Sequence, residues 1–465
     1  MPDLLKYPHT DIGNGERLVA MFGGKCRYCH DFRSWLIYNG KRWIRDRNGR
    51  MNRNAKETIR TLYLQATKIT SDKARQQIEG FARRSESVKS IRAMLECARS
   101  ERDISVSAED LDQNPLLLNC QNGTVDLETG DLREHRPDDL ITKICNVEFD
   151  PRATCEVFDA FIARILGDDL EMILYLQQVI GYSLTGLVSE KALFCLFGDG
   201  NNGKTTLLES LRYVLNDYSG QIMIESLLKS ESSNNSNALA DLSDLKGARF
   251  VTTSEAEHGA VLSEAQIKQI TGMGQLKSCR KYENPVVFPP THKLFMDSNH
   301  RPRVKGRDAA IWNRLKLIPF NVTIPEPEID KGLLGKLKKD EAPGILRWAV
   351  AGCLYWRAFG LEEPEQVSNS VTEWRADSEP YKDFFSACCE FDPAASCKSA
   401  ELISALDDYS KAAGVKIDKQ DFYKELDRRG CSPTRTKESR LWRGIRVRRG
   451  DGVTPGDSAF KEIIQ

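Results

Sequence analysis

The 465-residue sequence has no net charge, because 67 lysines and arginines balance 67 aspartates and glutamates. Bulk charge therefore argues neither for nor against nucleic acid, and any basic surface must be local. There is no apolar run near the roughly 20 residues that a membrane span needs. The longest candidate, Ile345 to Trp356, is interrupted by Arg347. The first residues, MPDLLKYPHT, lack the charged start and apolar stretch of a secretory signal, so a cytoplasmic location is expected. The 13 cysteines lack the spacing of a disulfide framework, which suits a reducing compartment. Cys26, Cys29 and His30 form C-x-x-C-H, yet neither an export signal for haem attachment nor a second C-x-x-C for zinc accompanies them. A strand of a hairpin is the expected context. No repeat of solenoid period is present.

What is present is a globular composition, 29% charged and 40% apolar, with length for two to four domains. Its centre is LFGDGNNGKTTLL, Leu196 to Leu208, where Gly198, Gly203, Lys204 and Thr205 stand in the spacing G-x-x-x-x-G-K-T. An apolar run, Ala192 to Phe197, precedes it, and Leu207, Leu208 and Leu211 follow at helical intervals. The pattern predicts strand, glycine loop and helix. Glycines let backbone N–H groups turn inward around a phosphate chain, and the helix start presents its unpaired N–H groups to the same anion. Gly198, Asp199, Gly200, Asn201, Asn202, Gly203, Lys204, Thr205 and Thr206 are the expected ATP contacts. Lys204 would reach the β- and γ-phosphates, and Thr205 would offer its hydroxyl to Mg²⁺.

Around this centre the expected divisions are an α+β region at 1–110, a mainly helical segment at 111–189, a core at 190–360, a linker at 361–380 and a last domain at 381–465. Asn39-Gly40 lies between strand-like runs and predicts a type I′ hairpin, helical sequence runs from Asn54 to Ala98, and Asn122-Gly123 marks a second hairpin. Two helices are expected between Val157 and Tyr182. In the core, apolar runs at 192–197, 249–253, 293–297 and 315–319 alternate with helical or polar sequence, which predicts an α/β sheet. The run 249–253 leads into Glu255 and Glu257, candidates for binding Mg²⁺ and orienting the attacking water; spacing leaves the division between them open, with Glu255 the first choice for the metal. After 293–297 comes Asn299, whose amide would hydrogen-bond that water and the γ-phosphate. Arg314, with Arg307 as its competitor, is the candidate guanidinium for a neighbouring subunit's γ-phosphate.

With these pieces in order, the chain resembles the superfamily 3 helicases, within them the phage and plasmid primase-helicase group related to the poxvirus primase-helicase. The likeness is carried by GDGNNGKTT at 198–206, RFVTTSEAE at 249–257, KQITGMGQLKSCRKYENP at 268–285, KLFMDSNHRPRV at 293–304 and DAAIWNRLKLIPF at 308–320. These correspond in order to Walker A, Walker B, B′ and C motifs and an arginine finger. NPLLLNCQNGTVDLETG at 114–130 also resembles the segment ahead of the ATPase in this group. The resemblance implies an AAA+ P-loop core, ATP and Mg²⁺ as cofactors, a homo-hexameric ring on single-stranded or forked DNA, and 3′ to 5′ movement. It implies a host-cell cytoplasm for a phage-encoded chain. It also implies a channel hairpin, here within Leu276 to Phe288, with Arg280, Lys281 and Tyr282 near its tip. Gly274 and Cys279 depart from the group's usual Asp and Arg. The first 110 residues are short for a primase domain, and Asp110 and Asp112 form no metal constellation, so priming is expected from a separate partner.

The last domain, with helical patterns at 381–391, 399–413 and 419–429 before an arginine-rich strand, predicts a winged helix-turn-helix. TRTKESRLWRGIRVRR, Thr434 to Arg449, holds seven Arg or Lys against one Glu. Arg440, Trp442, Arg443 and Arg446 are its candidate DNA contacts. The plainer alternative is a solvated basic tail.

Overall fold

Strands buried on both faces read as continuous apolar runs, and here such runs build a five-stranded parallel sheet. Its strands are β1 (Leu193–Phe197), β2 (Ser219–Ile222), β3 (Phe250–Thr253), β4 (Lys293–Ser298) and β5 (Leu315–Pro319), in the spatial order β5-β1-β4-β3-β2. β2 was not expected. Its sequence, SGQI, is short and polar with one buried side chain, and it takes strand form by pairing with β3 at the sheet edge. The computed structural model describes residues 1–229, 245–253, 260–278, 286–304, 308–378, 381–413, 419–435 and 439–448.

Two compact units divide the chain, Met1–Thr372 and Glu373–Gln465. In the first, helices α1 (Leu170–Leu184), α2 (Lys204–Leu215) and α3 (Ala342–Phe359) pack with the sheet. Tyr182 of α1 meets Trp356 of α3 at 4.6 Å between ring centres. One hydrophobic core runs from Leu118 to Val367, so the segment 111–189 shares the core of the sheet. At the lower edge of the sheet two buried cations join the same parts. Arg249 donates from Nη1 to the Leu184 carbonyl at 2.6 Å and from Nη2 to the Leu117 carbonyl at 2.9 Å. Lys293 donates to the Leu187 and Thr291 carbonyls, each at 3.2 Å. Burial, then the nearby Arg249, pushes the Lys293 ammonium well below its usual pKa.

Residues Leu4 to Ile104 hold a second core built mainly from helices Asp11–Phe22, Arg50–Ala66, Asp72–Ser85 and Val88–Ala98. Cys26 and Cys29 are buried in a strand paired antiparallel with Ser34–Tyr38, as expected of a hairpin. The turn at Asn39-Gly40 differs from the expected type I′. Asn39 Oδ1 accepts the backbone N–H groups of Lys41 at 3.0 Å and Arg42 at 2.9 Å, and only Gly40 of the pair has positive φ. Between β3 and β4, Leu276–Ser278 and Val286–Phe288 pair antiparallel as the base of the expected hairpin.

The stretch expected as a linker is largely a helix, Glu365–Asp377, with Val367 and Trp374 buried. Pro364 immediately precedes it and accepts the Val367 N–H at 3.0 Å; it starts a helix and does not break one. The second unit runs helix Lys382–Cys388, strand Cys389–Lys398, helices Ser399–Ala413 and Lys419–Arg428, then strands Ser432–Arg435 and Arg440–Val447. The first strand was not expected and joins the last two in an antiparallel sheet, with Arg440–Val447 in the middle.

Candidate functional site

β1 ends at Phe197 and α2 begins at Lys204, so the loop Gly198 to Gly203 turns between a buried strand and a helix start. Two glycines are sterically required. A Cβ on Gly198 would lie 2.2 Å from the Phe320 carbonyl oxygen, and one on Gly203, at φ +83°, would lie 2.7 Å from Ile165 Cγ2. Asn201 holds φ +61° and its carbonyl accepts the Ile324 N–H at 2.8 Å. Asn202 faces inward: its Nδ2 donates to the Asp199 carbonyl and its Oδ1 accepts from Lys204. It braces the loop from within, while Asp199, Gly200, Asn201 and Thr205 stand exposed and Thr206 is half-buried.

Lys204 is only 3% exposed. Its ammonium donates to the Gly198 carbonyl at 2.6 Å, Asn202 Oδ1 at 3.1 Å and Asn299 Oδ1 at 3.0 Å. Asp297 Oδ1 lies 3.7 Å away. A buried ammonium needs such oxygens to offset lost hydration. The adjacent pairing of β4 with β1, Ser298 opposite Phe197, carries Asn299 to the loop. Thr205 Oγ1 donates to Asp297 Oδ2 at 3.3 Å. Sequence reasoning took the strand as far as Asp297 but gave that side chain no role. The available signal was a carboxylate two residues before Asn299, on the same face of an extended strand.

β3 brings the buried Thr253 to the same sheet edge, opposite Met296 of β4. Glu255 and Glu257, which follow it, lie outside the described residues, as do Arg280, Lys281, Tyr282 and Arg307. Arg314 is not brought to the Lys204 cluster. It precedes β5, its carbonyl accepts the Leu193 N–H at 2.7 Å, and it therefore sits at the start of β1 while the loop sits at the end. A strand of this length separates the two by about 15 Å. The Arg314 guanidinium donates from Nη1 to the Ala310 carbonyl at 2.8 Å.

In the second unit, Arg440 and Arg443 are exposed on the central strand. Trp442 corrects the expectation of a DNA contact: it is 6% exposed and stacks on Tyr423 with ring centres 5.7 Å apart. An aromatic among arginines suits either a base platform or a core, and here the ring fills the core. Arg446 is also exposed but is held by Glu390, which accepts from Nε at 3.0 Å and Nη2 at 2.8 Å.

A glycine loop, a buried lysine and an adjacent strand end carrying a carboxylate and an amide thus define a parallel α/β protein with a candidate anion-binding loop. Residues 15–167 match the family described as D5 N terminal like. Residues 196–314 match a family of unknown function, DUF5906. A "Putative helicase" of Acanthamoeba polyphaga mimivirus is 27% identical over 390 residues, which cover 75% of this chain and 40% of that protein. A "Putative primase" of African swine fever virus (isolate Warthog/Namibia/Wart80/1980) is 25% identical over 217 residues, covering 45% of this chain and 22% of that one. The apo structure of the NrS-1 C terminal region superposes with a TM-score of 0.47 at 12% identity, covering 89% of this chain and 86% of that one. The chain is similar to viral proteins named as helicases and primases. It spans 40% and 22% of the length of these two curated relatives. Among the described residues no helix is long and apolar enough to cross a membrane.

Proposed function

We propose that the chain is an ATP-dependent DNA helicase of phage- or plasmid-type replication, acting as a homo-hexameric ring on single-stranded or forked DNA. The observation that carries this reading is the buried Lys204 ammonium, held by Gly198, Asn202 and Asn299 at the end of a parallel strand. Strand order β5-β1-β4-β3-β2, with the glycine loop after β1 and Asn299 after β4, supports an AAA+ core. In that reading Lys204 binds the β- and γ-phosphates and Thr205 helps hold Mg²⁺. Glu255 and Glu257 hold the metal and orient water, Asn299 senses the γ-phosphate, and a neighbour's Arg314 completes the site. Magnesium would supply charge neutralisation at the phosphates.

ATP-driven separation of forked DNA tests the proposal. Replacing both Lys281 and Tyr282 by Ala is expected to abolish strand separation while nucleotide binding persists, because the hairpin loses its phosphate-binding cation and its ring. Normal unwinding by the double variant would remove the channel-hairpin assignment. Rings that assemble with ATP yet never unwind DNA would favour a replication initiator.

The second unit supports duplex binding. Its order helix, strand, two helices and two strands, all three strands in one sheet, suits a winged helix-turn-helix. Arg435 and Arg440 face each other across the sheet, an arrangement that repels until a polyanion arrives. Arg440→Ala with Arg443→Ala is expected to leave thermal unfolding unchanged and to weaken duplex binding, lowering the salt slope by about one per residue. Trp442→Ala is expected instead to destabilise this unit by about 3–5 kcal/mol, read by denaturant unfolding.

A further inference from the structure

We propose that Asp297 is a metal ligand of the loop site, sharing a divalent cation with Thr205; the inference rests on reading the loop as a triphosphate site. Asp297 Oδ2 lies 3.3 Å from Thr205 Oγ1. Magnesium takes oxygen ligands at about 2.0–2.1 Å in near-octahedral geometry, which sets neighbouring ligands about 2.9–3.0 Å apart. The two oxygens therefore stand within a few tenths of an ångström of the spacing such a cation imposes. Magnesium characteristically combines one or two carboxylates with phosphate oxygens and water. Thr205 is exposed and the Asp297 side chain keeps 24% of its surface, so solvent reaches both residues.

Strand geometry explains why one segment delivers two functions. Asp297 and Asn299 are two residues apart, and both reach the Lys204 ammonium, Asn299 Oδ1 at 3.0 Å and Asp297 Oδ1 at 3.7 Å. The intervening Ser298 turns away and donates to the His300 carbonyl. The ammonium is already within hydrogen-bond reach of three neutral oxygens, and Asp297 Oδ1 lies beyond that reach. Asp297 Oδ1 pairs with the ammonium at 3.7 Å while Oδ2 accepts from the Thr205 hydroxyl at 3.3 Å, so the carboxylate stands between the lysine and the threonine.

The test measures binding of a fluorescent ADP analogue to the full chain, titrated with MgCl2 or MnCl2 and compared with an EDTA control, with Mn²⁺ followed by electron paramagnetic resonance. For Asp297→Asn, the affinity in EDTA is expected to stay within about twofold, while the Mg²⁺ concentration at half-effect rises about tenfold or more. Asp297→Cys is expected to lose the Mg²⁺ effect and regain it with Cd²⁺, which prefers sulfur. That rescue also reports a folded site should the Asn variant fold poorly. An unchanged Mg²⁺ requirement in Asp297→Asn, or no Cd²⁺ rescue in Asp297→Cys, overturns the proposal. An equal loss of affinity with and without metal also overturns it, marking Asp297 as a counter-ion of Lys204. Absence of nucleotide binding by the unaltered chain, with or without metal, overturns the reading of the loop itself and this inference with it.

Discussion

Lys204→Ala is expected to lower DNA-stimulated ATP hydrolysis by a factor of about 10²–10³ or more, in line with losing one preorganised charge from a transition state. The ammonium is held 3% exposed at the centre of the Gly198, Asn202 and Asn299 oxygens. Removing it leaves those oxygens and Asp297 without their shared positive charge, and a bound triphosphate would add negative charge to the same place. Steady-state hydrolysis checks the effect, with circular dichroism confirming a retained fold. Turnover above about a tenth of the unaltered chain would move the nucleotide site elsewhere, since even one lost charge-assisted contact costs more than that.

Arg314→Ala is expected to be comparably severe for a different reason. A guanidinium at a γ-phosphate contributes about 10³–10⁵ in rate. Within one chain Arg314 lies at the start of β1 and the glycine loop at its end, so it cannot serve its own site. In the proposed ring a neighbour's loop would use it. Mixing Arg314→Ala with Lys204→Ala subunits in equal amounts should therefore restore activity. With random closed-ring assembly, about one interface in four pairs an intact lysine with an intact arginine, and recovery should approach that fraction. Hydrolysis is the readout, and native mass spectrometry verifies that mixed rings form. Mixed rings without recovery would contradict a role in trans.

The centre of the fold was legible because its signals are local. β1, β3, β4 and β5 are apolar runs, and the loop needs glycine where Phe320 and Ile165 crowd the backbone. Features set by distant partners were harder to read. β2 depends on pairing with β3, and the Asp297 role depends on β4 lying beside β1. Pro364, in the stretch expected as a linker, opens a helix, and the unexpected strand Cys389–Lys398 continues through a register shift between Phe391 and Ser396. Trp442 and Arg446 illustrate a further limit, since composition cannot distinguish a ring that fills a core or a guanidinium already held by a carboxylate from one left for DNA.

Electron cryomicroscopy of the full chain with a non-hydrolysed ATP analogue, Mg²⁺ and forked DNA tests the central claim most directly. The expected map shows the triphosphate against Lys204 and Thr205 of one subunit, Arg314 of the next subunit at its γ-phosphate, and single-stranded DNA against residues 280–282. A nucleotide bound away from the loop Gly198 to Thr206, or an assembly in which Arg314 approaches no nucleotide, would contradict it.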